Sequence, residues 1–188
     1  MSGSRSRRRQ RAPIFIGCEG QSEMGYAGWL LNLVREKALP FHLSLKDLGC
    51  GGEPFKRVDM AIAYVKQIER NNERFVARYL FLDTDQLAAS PGRADQVRRL
   101  AFENKFTVIW QEPTHEAFLL RHFPGRDTHC PPDKRAADVA LAREWADYRK
   151  PCSAQQLEQR LSLDGAVRVA KQSPELAGLL RTIGLCAG

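Results

Sequence analysis

Short apolar runs that end in carboxylates constrain the fold of this chain more than any other feature. Residues 79–82 read Tyr-Leu-Phe-Leu and are followed at once by Asp83, Thr84 and Asp85. A buried strand excludes carboxylates from its hydrophobic length, so this change of composition marks the carboxyl end of a strand. Parallel α/β sheets bind their ligands at that end. The pattern predicts an α/β fold with its chemistry just beyond residue 82.

A second run has the same form. Residues 14–18 read Ile-Phe-Ile-Gly-Cys, and Glu19 and Gly20 follow. If the two strands are parallel neighbours, Glu19, Asp83 and Asp85 meet at one edge of the sheet, where clustered carboxylates would suit a hard cation such as Mg²⁺ or Mn²⁺. A simpler interpretation is that the aspartates serve only as turn or helix-capping residues. Two runs of the same form favour the metal site.

A third strand is predicted over residues 106–110, and acids follow it too. Glu112 comes directly after the strand, whereas Glu116 opens a helix predicted over residues 114–123 with Thr114 as its cap. Position at the strand end favours Glu112. The spacing alone leaves the choice between the two acids open.

The remaining pattern is mostly helical. The predicted α/β core is a mainly parallel sheet flanked by helices, with a C-terminal helical extension packed on it. We expect a basic disordered arm over residues 1–12, a core over 13–125 and the extension over 126–188. Further predicted elements are a strand over 41–48 and helices over 23–37 (with Ser22 as N-cap), 54–75 and 93–104.

Charge and composition narrow the class of protein. The 188-residue chain has a net charge of +7, which favours a polyanionic partner through long-range attraction. The arginines of the N-terminal arm, Arg7, Arg8 and Arg9, are candidates for phosphate contacts, although a solvated tail is an equal alternative. Five scattered cysteines indicate neither a disulfide framework nor a zinc ribbon. Since no apolar run is long enough to span a membrane, we expect a cytoplasmic protein with no membrane partner.

Several of these residues resemble a known family. The Toprim domain has a similar order of elements: a strand, Glu-Gly and a helix, and later a second strand that ends in Asp-x-Asp. Its RloB-like branch resembles residues 18–23, Cys-Glu-Gly-Gln-Ser-Glu, together with Tyr26. Residues 116–123, Glu-Ala-Phe-Leu-Leu-Arg-His-Phe, and the later Tyr-Arg-Lys at 148–150 look like two further segments of that branch. The chain departs from the pattern at residues 113–115, Pro-Thr-His, where the family prefers Asn-Pro-x-Phe.

The resemblance implies a Toprim/Rossmann-like, metal-dependent nuclease that uses Mg²⁺ or Mn²⁺ to cleave DNA, with RNA as the alternative. It further implies a role in defence against phage or other foreign DNA, with an ATPase partner of the AAA or ABC type. The implied catalytic residues are Glu19, Asp83 and Asp85. The same three side chains and Glu116 would hold metal, Glu116 at a second ion about 3.5–4 Å from the first.

Other residues receive supporting roles. The candidates for assisting the metal ligands from outside are Glu23, Glu112 and His122. Glu23 equally suits the first turn of a helix through the helix dipole, and packing or a hydrogen bond is the simpler role for His122. Besides the N-terminal arginines, the residues expected to contact nucleic acid are Arg149 and Lys150. The His115 and His122 spacing lacks the His-x-x-x-His pattern of a zinc site.

Two other functions compete with the nuclease. The first is a catalytically weak subunit that keeps the Toprim fold and binds nucleic acid or an ATPase. The second is a phosphatase with a nucleophilic aspartate, but such enzymes carry Asp-x-Asp on the first strand, where this chain has Glu19. The sequence permits an oligomer and does not specify one.

Overall fold

A parallel sheet forms the centre of the protein. The computed structural model describes residues 11–49, 53–71, 74–87 and 91–187. Its strands are β1 (Ala12–Cys18), β2 (Phe41–Asp47), β3 (Ala77–Asp83) and β4 (Thr107–Gln111). They lie in the order β2-β1-β3-β4, and every neighbouring pair is parallel. The predicted α/β fold with a parallel sheet is therefore confirmed.

Eight helices surround the sheet within the described residues. They are α1 (Gln21–Glu36), α2 (Pro54–Glu69), α3 (Pro91–Glu103), α4 (His115–Leu120), α5 (Lys134–Glu144), α6 (Ala154–Glu158), α7 (Leu163–Ala170) and α8 (Pro174–Thr182). None of them is both long enough and apolar enough to cross a membrane. The predicted arginines of the N-terminal arm lie outside the described residues.

Several helix boundaries differ from the prediction, among them the end of α2 and the start of α1. The helix predicted over residues 54–75 ends at Glu69, because the backbone N–H of Val76 already bonds to the Pro13 carbonyl oxygen at 2.9 Å and the chain is joining the sheet. Helix α1 begins at Gln21 with Gly20, rather than Ser22, at the N-cap. Ser22 thus lies inside the first turn of the helix and not ahead of it.

Alternation along the strands divides the core into two layers. Ile14 and Ile16 of β1 face one side of the sheet with α1 and the C-terminal helices, whereas Phe15 faces the other side with α2 and α3. This period of two is the expected consequence of a pleated strand. Because both faces are covered, β1 and β3 are buried over most of their length.

The C-terminal helices belong to the larger of these layers. Leu141, Trp145 and Leu157 share a buried cluster with Tyr26 of α1. The chain before α6 also runs very close to α1. A Cβ atom added at Gly25 would lie 1.9 Å from the backbone oxygen of Cys152. The C-terminal segment is therefore in close contact with the helix that follows Glu19.

Candidate active site

The carboxyl ends of β1 and β3 meet as neighbours in the sheet. Glu19 directly follows β1, and Asp83 is the last residue of β3. The backbone N–H of Asp83 donates a hydrogen bond of 2.9 Å to Glu19 Oε2. Asp85 lies two residues further along and lines the same cleft. The structure thus brings the three acids to one rim, whereas their roles stay a prediction.

A cleft of about 540 Å³ opens at this rim. Its acidic lining residues are Glu19, Glu23, Asp83, Asp85 and Glu116. Its basic lining residues are Arg57, Lys134 and Lys150, and His115 also contributes. The cleft therefore combines opposite charges. Its acids lie at the strand ends and in the first turns of α1 and α4, and its lysines lie on the C-terminal helical segment.

The turn after β3 is held by the neighbouring strand end. The backbone N–H groups of Thr84 and Asp85 donate to the Pro113 carbonyl oxygen at 3.2 and 3.1 Å. The Oδ1 atoms of Asp83 and Asp85 are buried and accept no hydrogen bond. The turn or capping interpretation requires these oxygens to accept hydrogen bonds that stabilise the turn. They accept none, so the structure does not support that interpretation.

The environment of Asp83 opposes ionisation. Burial raises its pKa, and the nearby carboxylates of Glu19, Glu23 and Asp85 raise it further, to about 9. The proton that Asp83 therefore carries at neutral pH would be displaced by a bound cation, because a positive charge reverses both effects.

Glu19 is paired with an arginine from α2. The guanidinium Nη1 of Arg57 lies 3.0 Å from Glu19 Oε1, and Arg57 is only 2% exposed. Burial raises the pKa of Glu19, and the Asp83 N–H and Arg57 offset this only in part. Arg57 was not among the site residues predicted from the sequence. Its signal was a charge within the buried stripe formed by Val58, Ala61 and Ile62.

Glu116 is paired with the segment that follows α5. The Tyr148 hydroxyl donates to Glu116 Oε1 at 3.0 Å, and Lys150 Nζ lies 2.8 Å from the same oxygen. Burial alone would raise the pKa of Glu116, but Lys150, His115 and Tyr148 together lower it. Lys150 also contacts Asp138 of α5 at 3.3 Å. The carboxylate is therefore ionised and firmly held.

The structure separates the two acids that follow β4. Glu116 lies in the first turn of α4 and lines the cleft, whereas Glu112 is exposed and lies outside it. Thr114 occupies the N-cap position of α4, but its side chain makes no capping hydrogen bond and its hydroxyl is buried without a partner. Glu116 is thus the acid that β4 brings to the site.

The two histidines of this region have different environments. His115 lines the cleft and is 2% exposed; its Nδ1 is 2.7 Å from Gln111 Nε2, and its Nε2 is buried without a partner. His122 lies outside the cleft, where Nε2 contacts the Tyr26 hydroxyl at 3.0 Å. Burial lowers the pKa of His122 to about 3. The expected assistance of His122 to the metal ligands is not seen in this arrangement.

The two residues of the C-terminal segment that were expected to contact nucleic acid lie in different positions. Lys150 lines the cleft. Arg149 is exposed outside the cleft, and its guanidinium donates to the carbonyl oxygens of Ala146 and Tyr148 at 3.2 and 2.7 Å. Only Lys150 of this pair is placed beside the acids.

The donor atoms suit a divalent cation that is completed by its substrate. Among the described residues, no three His, Cys, Asp or Glu side chains stand together as a ready ligand set. Mg²⁺ is usually held by one or two carboxylates, with water and substrate phosphates filling its other positions. The unpartnered Oδ1 atoms of Asp83 and Asp85 fit that requirement.

Comparison with known proteins found no relative of this chain. No family model matches the sequence, and neither a curated protein nor a solved structure is significantly similar to it.

Proposed function

We propose that this protein is a metal-dependent nuclease that hydrolyses phosphodiester bonds in DNA. The observation that carries the proposal is the pair of buried, unpartnered carboxylate oxygens on Asp83 and Asp85, beside Glu19 at the carboxyl edge of a parallel sheet. Such an edge is where α/β folds bind ligands. Oxygen donors of this kind suit Mg²⁺ or Mn²⁺.

Different residues of the cleft would have different roles in the hydrolysis. A cation held by Asp83 and Asp85 supplies charge neutralisation at the phosphate and lowers the pKa of an attacking water. Glu19 positions the Asp83 backbone through its 2.9 Å hydrogen bond. Because burial raises its pKa above its ordinary value, Glu19 also suits the transfer of a proton as a general acid or base.

The charge distribution supports a nucleic-acid substrate. The net charge of +7 attracts a polyanion, and Lys134 and Lys150 place positive charge at the lip of the acidic cleft. Lys150 would meet a phosphate that approaches the two aspartates. RNA remains the alternative substrate, and a defence role with an AAA-type or ABC-type ATPase partner rests on the RloB-like resemblance alone.

Cleavage assays over a divalent-cation titration test the proposal. The full chain is incubated with supercoiled plasmid, single-stranded DNA or RNA in Mg²⁺, in Mn²⁺ or in EDTA, each with and without any ATPase encoded beside it. We expect the cation to be required, and DNA to be cut in preference to RNA. Absence of cleavage on every substrate and with every cation would contradict the nuclease.

A non-catalytic binding subunit is the second candidate. It is favoured by the ion pairs of Glu19 with Arg57 and of Glu116 with Lys150, which neutralise two acids that a nuclease could use. Such a subunit would bind DNA with equal affinity in EDTA and in Mg²⁺. It would also keep that affinity when Asp83 is replaced by Asn.

A further inference from the structure

Two glutamates of the cleft already hold a positive charge of the protein's own. Arg57 lies 3.0 Å from Glu19 Oε1, and Lys150 lies 2.8 Å from Glu116 Oε1. The second oxygen of Glu19 accepts the Asp83 N–H. Both glutamates are buried, at 9% and 3% exposed. Arg57 is buried with Glu19, whereas the Lys150 side chain reaches the buried Glu116 from the solvent-exposed side of the cleft.

The two aspartates of the cleft, in contrast, are not paired with a positively charged side chain. Asp83 Oδ1 and Asp85 Oδ1 are buried and without a partner. A third polar atom in the same cleft is also unpartnered, the Nε2 of His115, whose side chain is 2% exposed. Buried polar atoms are almost always satisfied in native proteins. Arg57 Nη1 also lacks a hydrogen-bond acceptor but is ion-paired with Glu19, whereas these three atoms have no partner of any kind. Three such atoms around one cleft indicate that a ligand completes it.

We propose that the cleft binds one divalent cation per chain, at Asp83 and Asp85, and that the Lys150 ammonium occupies Glu116 in place of a second ion. This inference rests on the proposed function and revises the pair of ions that the RloB-like resemblance implies. The single ion would have two protein carboxylates as ligands, with water or phosphate oxygens in its remaining positions.

The contacts of Lys150 explain why a second ion is kept out. An ion at Glu116 would have to displace the ammonium and also compete with the Tyr148 hydroxyl for Oε1. Lys150 is additionally held by Asp138 at 3.3 Å, so it is anchored from two sides. An ammonium in this position supplies a fixed positive charge to a phosphate without the cost of binding another metal.

The stoichiometry of Mn²⁺ binding tests this directly. Mn²⁺ is titrated into the full chain without nucleic acid, and bound metal is counted by the electron paramagnetic resonance signal of the free ion and by calorimetry. We expect one bound Mn²⁺ per chain at saturation. Two would overturn the single-ion inference and leave the nuclease intact, whereas none would overturn both.

Three variants identify the group that limits the number of ions. Lys150→Met should raise the stoichiometry from one to two, while the matched control Lys134→Met, which removes another lysine of the same cleft, should leave it at one. A value of one for Lys150→Met would overturn the role of that lysine.

The nearly isosteric variant Glu116→Gln should still bind the single ion. Loss of that ion in Glu116→Gln would show that Glu116 is a ligand and would overturn the inference. Circular dichroism checks that each variant is folded.

Discussion

The Asp83 backbone N–H donates to the Glu19 carboxylate at 2.9 Å, across 64 positions of the chain. This bond ties the end of β3 to the residue that follows β1. The bond uses only the main chain of Asp83, and Oδ1 of its side chain has no partner. The rim is thus organised by a main-chain contact, and the carboxylates of the aspartates stay available.

Replacement of Asp83 by Asn should stabilise the metal-free protein. The folded-state pKa of Asp83, about 9, is far above the unfolded value of 3.8. Its contribution to stability is therefore complete below pH 3.8 and is lost progressively as the pH rises through 9. In thermal unfolding at pH 8 the variant should have a Tm at least about 2 °C above that of the wild type.

The same pair of proteins provides the control for that prediction. At pH 3, below the unfolded pKa of 3.8, the two Tm values should converge, because Asp83 is then mostly protonated in both the folded and the unfolded chain. Saturating Mn²⁺ should raise the Tm of the wild type and not that of the variant, since a ligand stabilises only the state that binds it. A less stable Asp83→Asn protein at pH 8 would contradict the account.

Loss of Arg57 should destabilise the fold strongly. Its side chain is 3% exposed and pairs with Glu19, so Arg57→Met would leave a buried carboxylate without its cation. We expect a loss of about 3 kcal/mol in the free energy of unfolding, measured with urea. The double variant Arg57→Met/Glu19→Gln should recover part of this loss. An equal loss in the single and double variants would show that packing, rather than charge, accounts for it.

Gly25 is predicted to tolerate no side chain. Its Cβ would lie 1.9 Å from the Cys152 carbonyl oxygen, which is main chain and cannot rotate away. Gly25→Ala should therefore cost at least about 2 kcal/mol in urea unfolding. Gly178 is the matched control: it is also helical and has no atom within 4 Å of an added Cβ. Gly178→Ala should stabilise by roughly 0.5–1 kcal/mol, and a similar response at both glycines would refute the close contact.

His122 should contribute to the acid sensitivity of the protein. Its pKa is lowered from 6.5 to about 3 by burial, so its contribution to stability is full above pH 6.5 and is lost as the pH falls toward 3. His122→Gln should cost about 2 kcal/mol at pH 7, and this difference should shrink steadily at lower pH. The exposed His129, replaced in the same way, should show no such trend. A constant difference for His122→Gln across this range would disprove its burial as a neutral side chain.

Much of the architecture could be predicted from the sequence, because the carboxyl ends of the strands are shown by a change from apolar residues to carboxylates. The apolar runs before Glu19 and Asp83 located β1 and β3, and parallel pairing then placed the acids together. The helix predicted through residue 75 was too long, because the amphipathic spacing continues beyond Glu69 while the main chain has already turned toward β3. Periodicity reports which side chains can be buried and not where the backbone leaves the helix.

The partners of the acids were harder to predict than the acids themselves. Arg57 reads as one more charge on a long amphipathic helix, and only its burial against Glu19 distinguishes it. Glu112 and Glu116 both follow β4, and the choice between them depends on how the chain turns into α4. Contacts between distant segments, such as that of Lys150 with Glu116, have no local signature in the sequence.

The most direct measurement of the central claim is cleavage of DNA in Mn²⁺ by the wild type, Asp83→Asn and Asp95→Asn. Asp95 is an exposed aspartate on α3, so its replacement controls for the loss of a negative charge alone. The proposed metal site predicts that the wild type and Asp95→Asn cleave at the same rate and that Asp83→Asn is slower by at least about 100-fold. Cleavage by Asp83→Asn at the wild-type rate would contradict it.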